Sequence, residues 1–306
     1  MTSISSAASS LELEVRAPSP WRLQRGSSED RTLRVRGGIA TRFLHVAGEP
    51  IVVRAWQPGK QRLALRAEAV EGAGEEQLGI AIERMRFALG VDDDLADFHR
   101  RFRRDPLVGP LLRRLPDFRP KRHPWPWEAF AWAVVKQLIE SGRAATIQRR
   151  IVGRWGPRLG DGPEALRDVP SAATIAGRAP AELQALDLSG NRALALRRVA
   201  RQVAAGRCDL ADPGDDRRLL AVPEIGPWTI QCLGLFGRGE QDSLPAGDLA
   251  YIKLIGRLAG LGRRATIPEV EEFYAPYEPY RGLVGALTIA GLHRLVAHGP
   301  PLRMAA

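Results

Sequence analysis

The sequence predicts an α+β fold, in which a small antiparallel β-sheet domain precedes a large all-helical core. Two observations support this fold class. Apolar and polar residues alternate with a period of two between residues 11 and 70, which is typical of half-buried strands. From residue 77 onward the apolar residues follow helical spacing instead. No internal repeat with a period of about 20–50 residues is apparent, which argues against a solenoid.

The N-terminal part of the chain is expected to hold a leader and a sheet. Residues 1–10 are small and polar, and we expect them to be a disordered leader. Alternating segments separated by turn residues predict strands at LELEV (11–15), TLRVR (32–36), FLHV (43–46), IVVRAW (51–56) and LALRAEA (63–69). One face of this antiparallel sheet is expected to be basic and solvated, and the other apolar.

The helical part begins inside the same domain. Leu78, Ala81, Ile82, Met85 and Leu89 recur at helical spacing and predict a helix over 77–89. We therefore expect an N-terminal α+β domain at 11–90 and a helical core at 91–306. Within that core, helices are predicted at 93–104, 106–115, 126–141, 143–155, 172–178, 180–186, 190–205, 215–221, 228–237, 248–261, 267–274 and 279–297.

The charge balance favours a polyanionic partner. The 306 residues carry a formal net charge of +10, with four lysines and 41 arginines. GC-rich coding DNA explains arginine in place of lysine, but it does not explain the excess of positive charge. Nucleic acid is the favoured partner. Neither an export signal nor an apolar run of about 18 residues is visible, so we expect no membrane contact and a cytoplasmic location. With nucleic acid as the partner, we expect the protein to associate with the nucleoid. We also expect it to be a monomer.

The metal-binding residue types are sparse. Cys208 and Cys232 are too few for an iron–sulfur cluster or a four-cysteine zinc site. The five histidines are scattered without the close spacing of a transition-metal site. We expect no iron–sulfur cluster and no required cofactor.

The segment VPEIGPWTIQC (222–232) predicts two helices joined by a tight turn. The first, at 215–221, ends against Pro223, the turn is PEIG, and the second starts near Trp228. Such a helix-hairpin-helix presents unpaired amides and a positive dipole end at its second helix, which suit a phosphate oxygen. The alternative interpretation is an ordinary corner between two packed helices.

Asp248 lies immediately before an amphipathic run with Leu249, Ile252, Ile255 and Leu258 on one face. By itself this pattern predicts a helix N-cap. The full segment LLAVPEIGPWTIQCLGLFGRGEQDSLPAGDLAYIK resembles the signature of the helix-hairpin-helix DNA glycosylases, in particular the DNA-3-methyladenine glycosylase II (AlkA) type. The segments 126–156 and 183–206 and the N-terminal sheet also resemble parts of that family, so the resemblance covers nearly the whole chain.

The resemblance implies roles for individual residues. Asp248 is the implied catalytic carboxylate, and Leu138, after Gln137, is the implied side chain that fills the gap left by a flipped base. The implied base-stacking and pocket residues are Trp228, Cys232 and Tyr280; those of the phosphate-binding hairpin are Glu224, Ile225, Gly226 and Thr229. The backbone of Pro223, Ile225 and Gly226 is the implied site of a sodium or potassium ion. Further phosphate contacts are expected from Arg143, Arg149, Arg150, Arg192, Arg197 and Arg198.

The resemblance also implies a reaction. The protein is expected to flip an alkylated or deaminated purine out of double-stranded DNA and hydrolyse its N-glycosidic bond, as a monofunctional enzyme of base excision repair. Bifunctional relatives carry a lysine where this chain has Trp228. Two alternatives remain: a non-catalytic DNA-binding protein with the same fold, and a bifunctional oxidised-guanine glycosylase.

Three positions depart from the family pattern. Glu224 stands where the hairpin usually has a glycine, and it adds a negative charge and removes easy access to positive φ. Cys232 replaces an aromatic residue, and Gly247 replaces the first of two aspartates. These departures bear on substrate range and DNA affinity more than on the fold.

Overall fold

A computed structural model describes residues 9–298 of the chain, with side chains described through residue 292. Residues 1–8 of the expected leader therefore lie outside the described residues, whereas Ser10 already pairs with Glu68 at the start of the first strand. The sheet is five-stranded and antiparallel, in the order β1-β5-β4-β3-β2. Its strands are β1 (Ser10–Arg16), β2 (Leu33–Arg36), β3 (Ile39–Val46), β4 (Glu49–Gly59) and β5 (Arg62–Ala69).

One face of the sheet packs on helix α1 (Glu75–Leu89). The helix begins where the side chain of Gln77 accepts a hydrogen bond from the Gly74 amide at 3.0 Å, and it ends at Gly90, whose φ of 64° closes the C-terminus. Its buried face consists of Leu78, Ala81, Ile82 and Met85, as the spacing predicts. These side chains and the inward-facing strand residues form the core of this part of the molecule.

The predicted helical region is confirmed, with shifts of a few residues at the helix ends. The helices are α2 (Ala96–Phe102), α3 (Val108–Arg114), α4 (Pro126–Lys136), α5 (Ser141–Trp155), α6 (Ala172–Ala176), α7 (Pro180–Gln184), α8 (Gly190–Ala204), α9 (Asp216–Leu220), α10 (Pro227–Leu233), α11 (Leu249–Leu258), α12 (Ile267–Tyr274) and α13 (Arg281–His298). A π-helical turn, Gly234–Arg238, continues α10, and α13 is kinked at Leu292.

The helices form two apolar clusters. The first is built from α4, α5, α8 and the residues around α9 and α10, with Phe130, Ile147 and Leu196 fully buried. The second combines α2 and α3 with α11, α12 and α13, around Phe98, Leu254 and Tyr274. Because α10 belongs to the first cluster and α11 to the second, the segment 239–248 passes from one cluster to the other.

A two-stranded ribbon that the sequence did not predict lies against the sheet. Strands β6 (Arg158–Leu159) and β7 (Leu166–Arg167) pair antiparallel. Arg34 of β2 donates to the carbonyl oxygens of Glu164 and Ala165 in this ribbon, and Arg36 forms an ion pair with the Glu164 carboxylate. Basic side chains of the sheet thus bind a neighbouring segment of the same chain.

A buried ionic network joins the sheet to the helices. Arg42 of β3 is 2% exposed, and its guanidinium contacts Glu128 of α4 at 2.8 Å and Asp168 at 3.4 Å. His123 and His45 hydrogen-bond to these two carboxylates at 2.8 Å and 2.9 Å. Burial alone lowers the pKa of the Arg42 guanidinium, but the carboxylates of Glu128 and Asp168 reverse this and hold the pKa above its usual value.

We expect Arg42→Met to be strongly destabilising, because it leaves Glu128 and Asp168 as buried charges without their cation. The free energy of unfolding should fall by about 3–5 kcal/mol, measured by urea denaturation. Arg36→Met is the matched control, since Arg36 lies in the same sheet but its ion pair with Glu164 is exposed. Equal unfolding midpoints for the two variants would contradict the role of the network.

No helix within residues 9–298 is long and apolar enough to cross a lipid bilayer.

Candidate functional site

The hairpin joins α9 to α10 through a tight turn. The carbonyl oxygen of Val222 accepts from the Ile225 amide at 3.0 Å, and Gly226 caps α10 in an extended conformation. Pro227 starts the helix, where its missing N–H is no loss. The amides of Glu224, Gly226 and Trp228 have no backbone acceptor among the described residues. The turn therefore offers donors that an anion could accept.

Glu224 adopts a left-handed conformation, with φ of 74°. This is the conformation that glycine takes without strain and that a residue with a Cβ takes at a cost. The side chain is held by Asn191, whose amide donates to Oε1 at 3.3 Å. The sequence indicated that a glutamate here removes easy access to positive φ. In the structure the turn nevertheless has positive φ at this position, and the backbone of Glu224 is strained.

Leu138 is the tip of the loop that joins α4 to α5. The predicted helix over 126–141 is interrupted here, because α4 ends at Lys136 and α5 begins at Ser141. Leu138 has φ of 55° and is fully exposed, at 104% of its reference area. A leucine in solvent and in a left-handed conformation is doubly unfavourable in the isolated protein. This geometry matches a side chain whose partner is a bound molecule.

Hydrogen bonds from two distant segments hold the α4–α5 loop (137–140). The side-chain amide of Gln137 donates through Nε2 to the Glu224 carbonyl at 2.8 Å and to the Thr229 hydroxyl at 2.9 Å. Arg192 of α8 donates to the carbonyls of Val135 at 2.9 Å and Gln137 at 3.1 Å. The loop tip and the hairpin are therefore parts of one connected surface.

Asp248 caps α11, and its carboxylate accepts from the Ala250 amide at 2.8 Å. The segment before it is anchored on both sides. Arg281 of α13 donates to Asp242 at 2.9 Å, and the Ser243 hydroxyl donates to the Gln231 carbonyl of α10 at 3.1 Å. A Cβ at Gly234 would lie 2.4 Å from Ser243 Oγ, so glycine is needed for this close approach.

Trp228 and Asp248 lie in one neighbourhood. A Cβ built at Gly247 would lie 3.7 Å from Cβ of Trp228. Burial, and after it the Asp248 carboxylate, raises the pKa of the Cys232 thiol, and the same carboxylate contributes to the raised pKa of buried Tyr251. The indole N–H of Trp228 is buried and has no hydrogen-bond partner among the described residues. The carboxylate thus adjoins a largely apolar wall, in which one polar group is unsatisfied.

Two apolar residues beside Asp248 are exposed, although the sequence pattern placed Leu249 on the apolar face of its helix and did not single out Ile267. Leu249 is 49% exposed and Ile267, at the start of α12, is 47% exposed. A Cβ at Gly247 would meet Cδ1 of Ile267 at 3.5 Å, so this side chain borders the same surface. Ile267 stands at i, i+3, i+7 spacing with the buried residues Val270 and Tyr274, so the sequence pattern carried no signal of its exposure.

Tyr280 lies in a different environment from the one that the resemblance implies. Its hydroxyl donates to Asp97 at 3.0 Å, and its ring packs 5.3 Å from that of Phe98. In the part of the chain that the structure describes, its hydrogen bond and ring contacts are with α2 rather than with Asp248 or Trp228. Its role in a base pocket remains a prediction.

The expected phosphate-binding arginines differ in availability. Arg143 forms a two-pronged ion pair with Asp187, and Arg149 donates to the Glu29 carbonyl. Arg192 is only 9% exposed and is directed into the molecule. Arg150 and Arg198 lie at the surface of α5 and α8. Some of these arginines therefore bind other parts of the molecule, whereas Arg150 and Arg198 are exposed to solvent.

The turn also presents backbone carbonyls, the groups expected to hold a cation. The carbonyls of Pro223 and Ile225 accept no backbone hydrogen bond from the described residues, while that of Gly226 accepts from the amides of Thr229 and Ile230. Two of the three carbonyls therefore have no backbone donor and are available as ligands, and a sodium or potassium ion there stays a prediction. No group of three or more His, Cys, Asp or Glu side chains suited to a metal ion occurs in the described part of the chain.

Comparisons with known proteins show what the chain is similar to. A scan of protein-family models finds no match. A DNA-3-methyladenine glycosylase of Bacillus subtilis (strain 168) is 22% identical over 197 residues, covering 62% of this chain and 65% of that protein. The match thus spans just under two thirds of the relative's length. The predicted resemblance to the DNA-3-methyladenine glycosylases is confirmed at the level of sequence.

Solved structures define the fold. The 3-methyladenine DNA-glycosylase from Archaeoglobus fulgidus aligns with a TM-score of 0.78 and 17% identity, covering 94% of this chain and 100% of that chain. An 8-oxoguanine glycosylase/lyase of Clostridium acetobutylicum, in complex with double-stranded DNA, aligns with a TM-score of 0.64 and 14% identity, covering 86% and 98%. The fold is therefore that of the glycosylases, and it does not by itself distinguish the two activities.

Replacement of Glu224 tests the strain in the hairpin. Glu224→Gly and Glu224→Ala both remove the carboxylate and its contact with Asn191, but only glycine adopts φ of 74° without strain. We expect the glycine variant to be more stable than the alanine variant by about 0.5–1 kcal/mol in urea denaturation. Equal stability of the two variants would mean that the turn does not constrain residue 224.

Proposed function

We propose that this protein is a monofunctional DNA glycosylase of the AlkA type, which acts in base excision repair on double-stranded DNA containing a damaged base. It flips an alkylated or deaminated purine out of the duplex, hydrolyses the N-glycosidic bond and leaves an abasic site. The observation that carries the proposal is Asp248 beside Trp228 where two helical clusters meet, in a fold shared with a 3-methyladenine DNA-glycosylase.

Base flipping requires a side chain that occupies the vacated space. Leu138 supports this role because it is exposed, apolar and fixed at the tip of a braced loop. Insertion into the stacked bases buries its side chain and recovers about 1.5–3 kcal/mol, which offsets part of the cost of unstacking. The exposed apolar side chains of Leu249 and Ile267 would extend this contact beside Asp248.

Cleavage of the N-glycosidic bond develops positive charge on the deoxyribose, as in glycoside hydrolysis. In the proposal the Asp248 carboxylate stabilises this charge and orients the attacking water. An alkylated purine is already cationic and leaves readily, so a second carboxylate acting as acid is not needed. Trp228 provides an aromatic face for the electron-poor base, which gains about 1 kcal/mol or more from cation–π attraction in a dry site.

The choice between monofunctional and bifunctional chemistry rests on position 228. A lyase needs an amine that forms a Schiff base with the sugar, and this position holds tryptophan. Cys232 is not a substitute nucleophile, because burial keeps its thiol protonated. Since the fold is also that of an 8-oxoguanine glycosylase/lyase, this residue is what favours the monofunctional assignment.

The hairpin turn and the positive charge of the chain would provide the contacts to the DNA backbone. The free amides of Glu224, Gly226 and Trp228 would hold a backbone phosphate, and a sodium or potassium ion at Pro223, Ile225 and Gly226 would share it. Thr229 is fully buried and its hydroxyl accepts from Gln137, so it would support the turn rather than contact the phosphate. Residues 11–90 would be the N-terminal domain of the AlkA type, and the net charge of +10 would supply non-specific affinity. No other cofactor is proposed, and the protein would act as a monomer associated with the nucleoid in the cytoplasm.

The decisive variant is Asp248→Asn. Asparagine is an equally good N-cap, so the hydrogen bond to the Ala250 amide and the stability should be kept while the charge is lost. Single-turnover release of methylated adenine or hypoxanthine from duplex DNA should slow by at least about 100-fold.

Three results would contradict the proposed function or the role of Asp248 in it. DNA binding without base release by the wild type would support the non-catalytic alternative. Strand cleavage without added alkali would support the bifunctional one. Equal release rates for wild type and Asp248→Asn would remove Asp248 from the chemistry.

Trp228 can be tested with two lesions. Trp228→Ala should slow release of a cationic methylated purine about 5–30-fold more than release of neutral hypoxanthine, because only the cationic base gains cation–π attraction. Trp228→Phe is the control, since it keeps an aromatic face and should preserve the preference. An equal loss on both lesions would assign Trp228 to packing alone.

A further inference from the structure

The first turn of α8 contacts both the α4–α5 loop and the hairpin. Arg192 donates to the carbonyls of Val135 and Gln137, and its Nε donates to the Ser189 hydroxyl at 2.9 Å. The adjacent Asn191 donates to the Glu224 carboxylate. Two consecutive residues of one helix thus hold the two segments that carry Leu138 and the phosphate-binding turn.

The position of Arg192 is electrostatically unfavourable in its own helix. It lies in the first turn of a 15-residue helix, where the positive end of the dipole repels a cation. Burial, and then nearby Arg143, lowers the pKa of its guanidinium, with Asp187 acting in the opposite direction. A cation with these costs needs a compensating partner, and its partners are the terminal carbonyls of α4.

These carbonyls lie where the chain leaves the helix. α4 ends at Lys136, Gln137 turns out of the helix with ψ of 126°, and Leu138 follows in the left-handed region. A guanidinium that binds the carbonyls on both sides of Lys136 fixes the direction in which the chain departs. The Gln137 side chain fixes the same loop from the hairpin side.

We propose that Arg192 is a positioning residue that holds Leu138 ready for insertion into DNA, rather than the phosphate contact expected from the sequence. The inference rests on the proposed function, because it assigns Arg192 a role in base flipping. Arg192 does not touch the DNA; it acts through the backbone of Gln137. Its effect must therefore depend on the presence of the Leu138 side chain.

A double-mutant cycle tests this dependence. Arg192→Met, Leu138→Ala and the double variant are compared with wild type by single-turnover base release and by fluorescence of 2-aminopurine placed beside the lesion, which reports flipping. Arg192→Met should lower both signals about tenfold in the wild-type background and less than about twofold in the Leu138→Ala background. The same loss in both backgrounds would overturn the proposal.

Two further variants separate positioning from charge. Arg198→Met removes an exposed arginine of the same helix and should reduce the salt dependence of DNA binding, whereas Arg192→Met should leave the slope unchanged. A reduced slope for Arg192→Met would make it a phosphate contact after all. If urea denaturation shows that the Arg192→Met variant is not folded, Arg192→Lys replaces it in the double-mutant cycle. Lysine keeps the positive charge but cannot make the forked contact of a guanidinium.

The same measurements distinguish failure of the two proposals. A wild type that flips the lesion, as 2-aminopurine fluorescence reports, but releases no base would refute the proposed catalysis while leaving the fluorescence test of Arg192 intact. A wild type that neither flips nor releases a base would overturn both.

Discussion

The candidate site depends on one side-chain amide. Gln137 joins the end of α4 to the hairpin through the Glu224 carbonyl and the Thr229 hydroxyl, which lie 87 and 92 residues further along the chain. Thr229 follows Trp228, and Trp228 lies against Gly247 next to Asp248. A single hydrogen-bonded link therefore relates the loop tip, the turn and the carboxylate. Helices α4 and α10 pack in the first apolar cluster and α11 in the second, and the hydrogen bonds of Gln137 fix how the end of α4 is oriented on the hairpin, because apolar packing alone is not directional.

The unfavourable features of the molecule are concentrated around this link. Leu138 and Glu224 have positive φ, the Leu138 side chain lies in solvent, and the Trp228 indole N–H is buried without a partner. Each costs on the order of 1–3 kcal/mol. The surrounding structure maintains them through buried cores and through networks such as that of Arg42, Glu128 and Asp168. Such a distribution is expected where local stability is sacrificed for a geometry that a ligand requires.

The sequence predicted those features that depend on neighbouring residues. Alternation identified every strand of the five-stranded sheet, helical spacing identified the helices, and Pro223 and Gly226 identified the turn. The prediction failed where distant partners decide. α4 ends at Lys136, where Arg192 binds the carbonyls of Val135 and Gln137 and the Gln137 side chain donates to the hairpin, although the apolar pattern continues through Leu138 and Ile139. Likewise, the β6–β7 ribbon forms against arginines of β2. The contacts of Tyr280 with α2 also depend on distant residues, while its role in a base pocket stays a prediction.

Cys232 has a consequence for the durability of the protein. Agents that alkylate DNA also attack thiols, and they react with the thiolate far faster than with the protonated form. If it ionised, a cysteine beside the proposed repair site would be a point at which such agents inactivate the protein. Here burial and the neighbouring carboxylate of Asp248 both raise the pKa of the Cys232 thiol, so the sulfur stays protonated and is a weak nucleophile. The cysteine that replaces an aromatic residue of the family pattern is thus protected from the reagents that would create the substrates of the proposed enzyme.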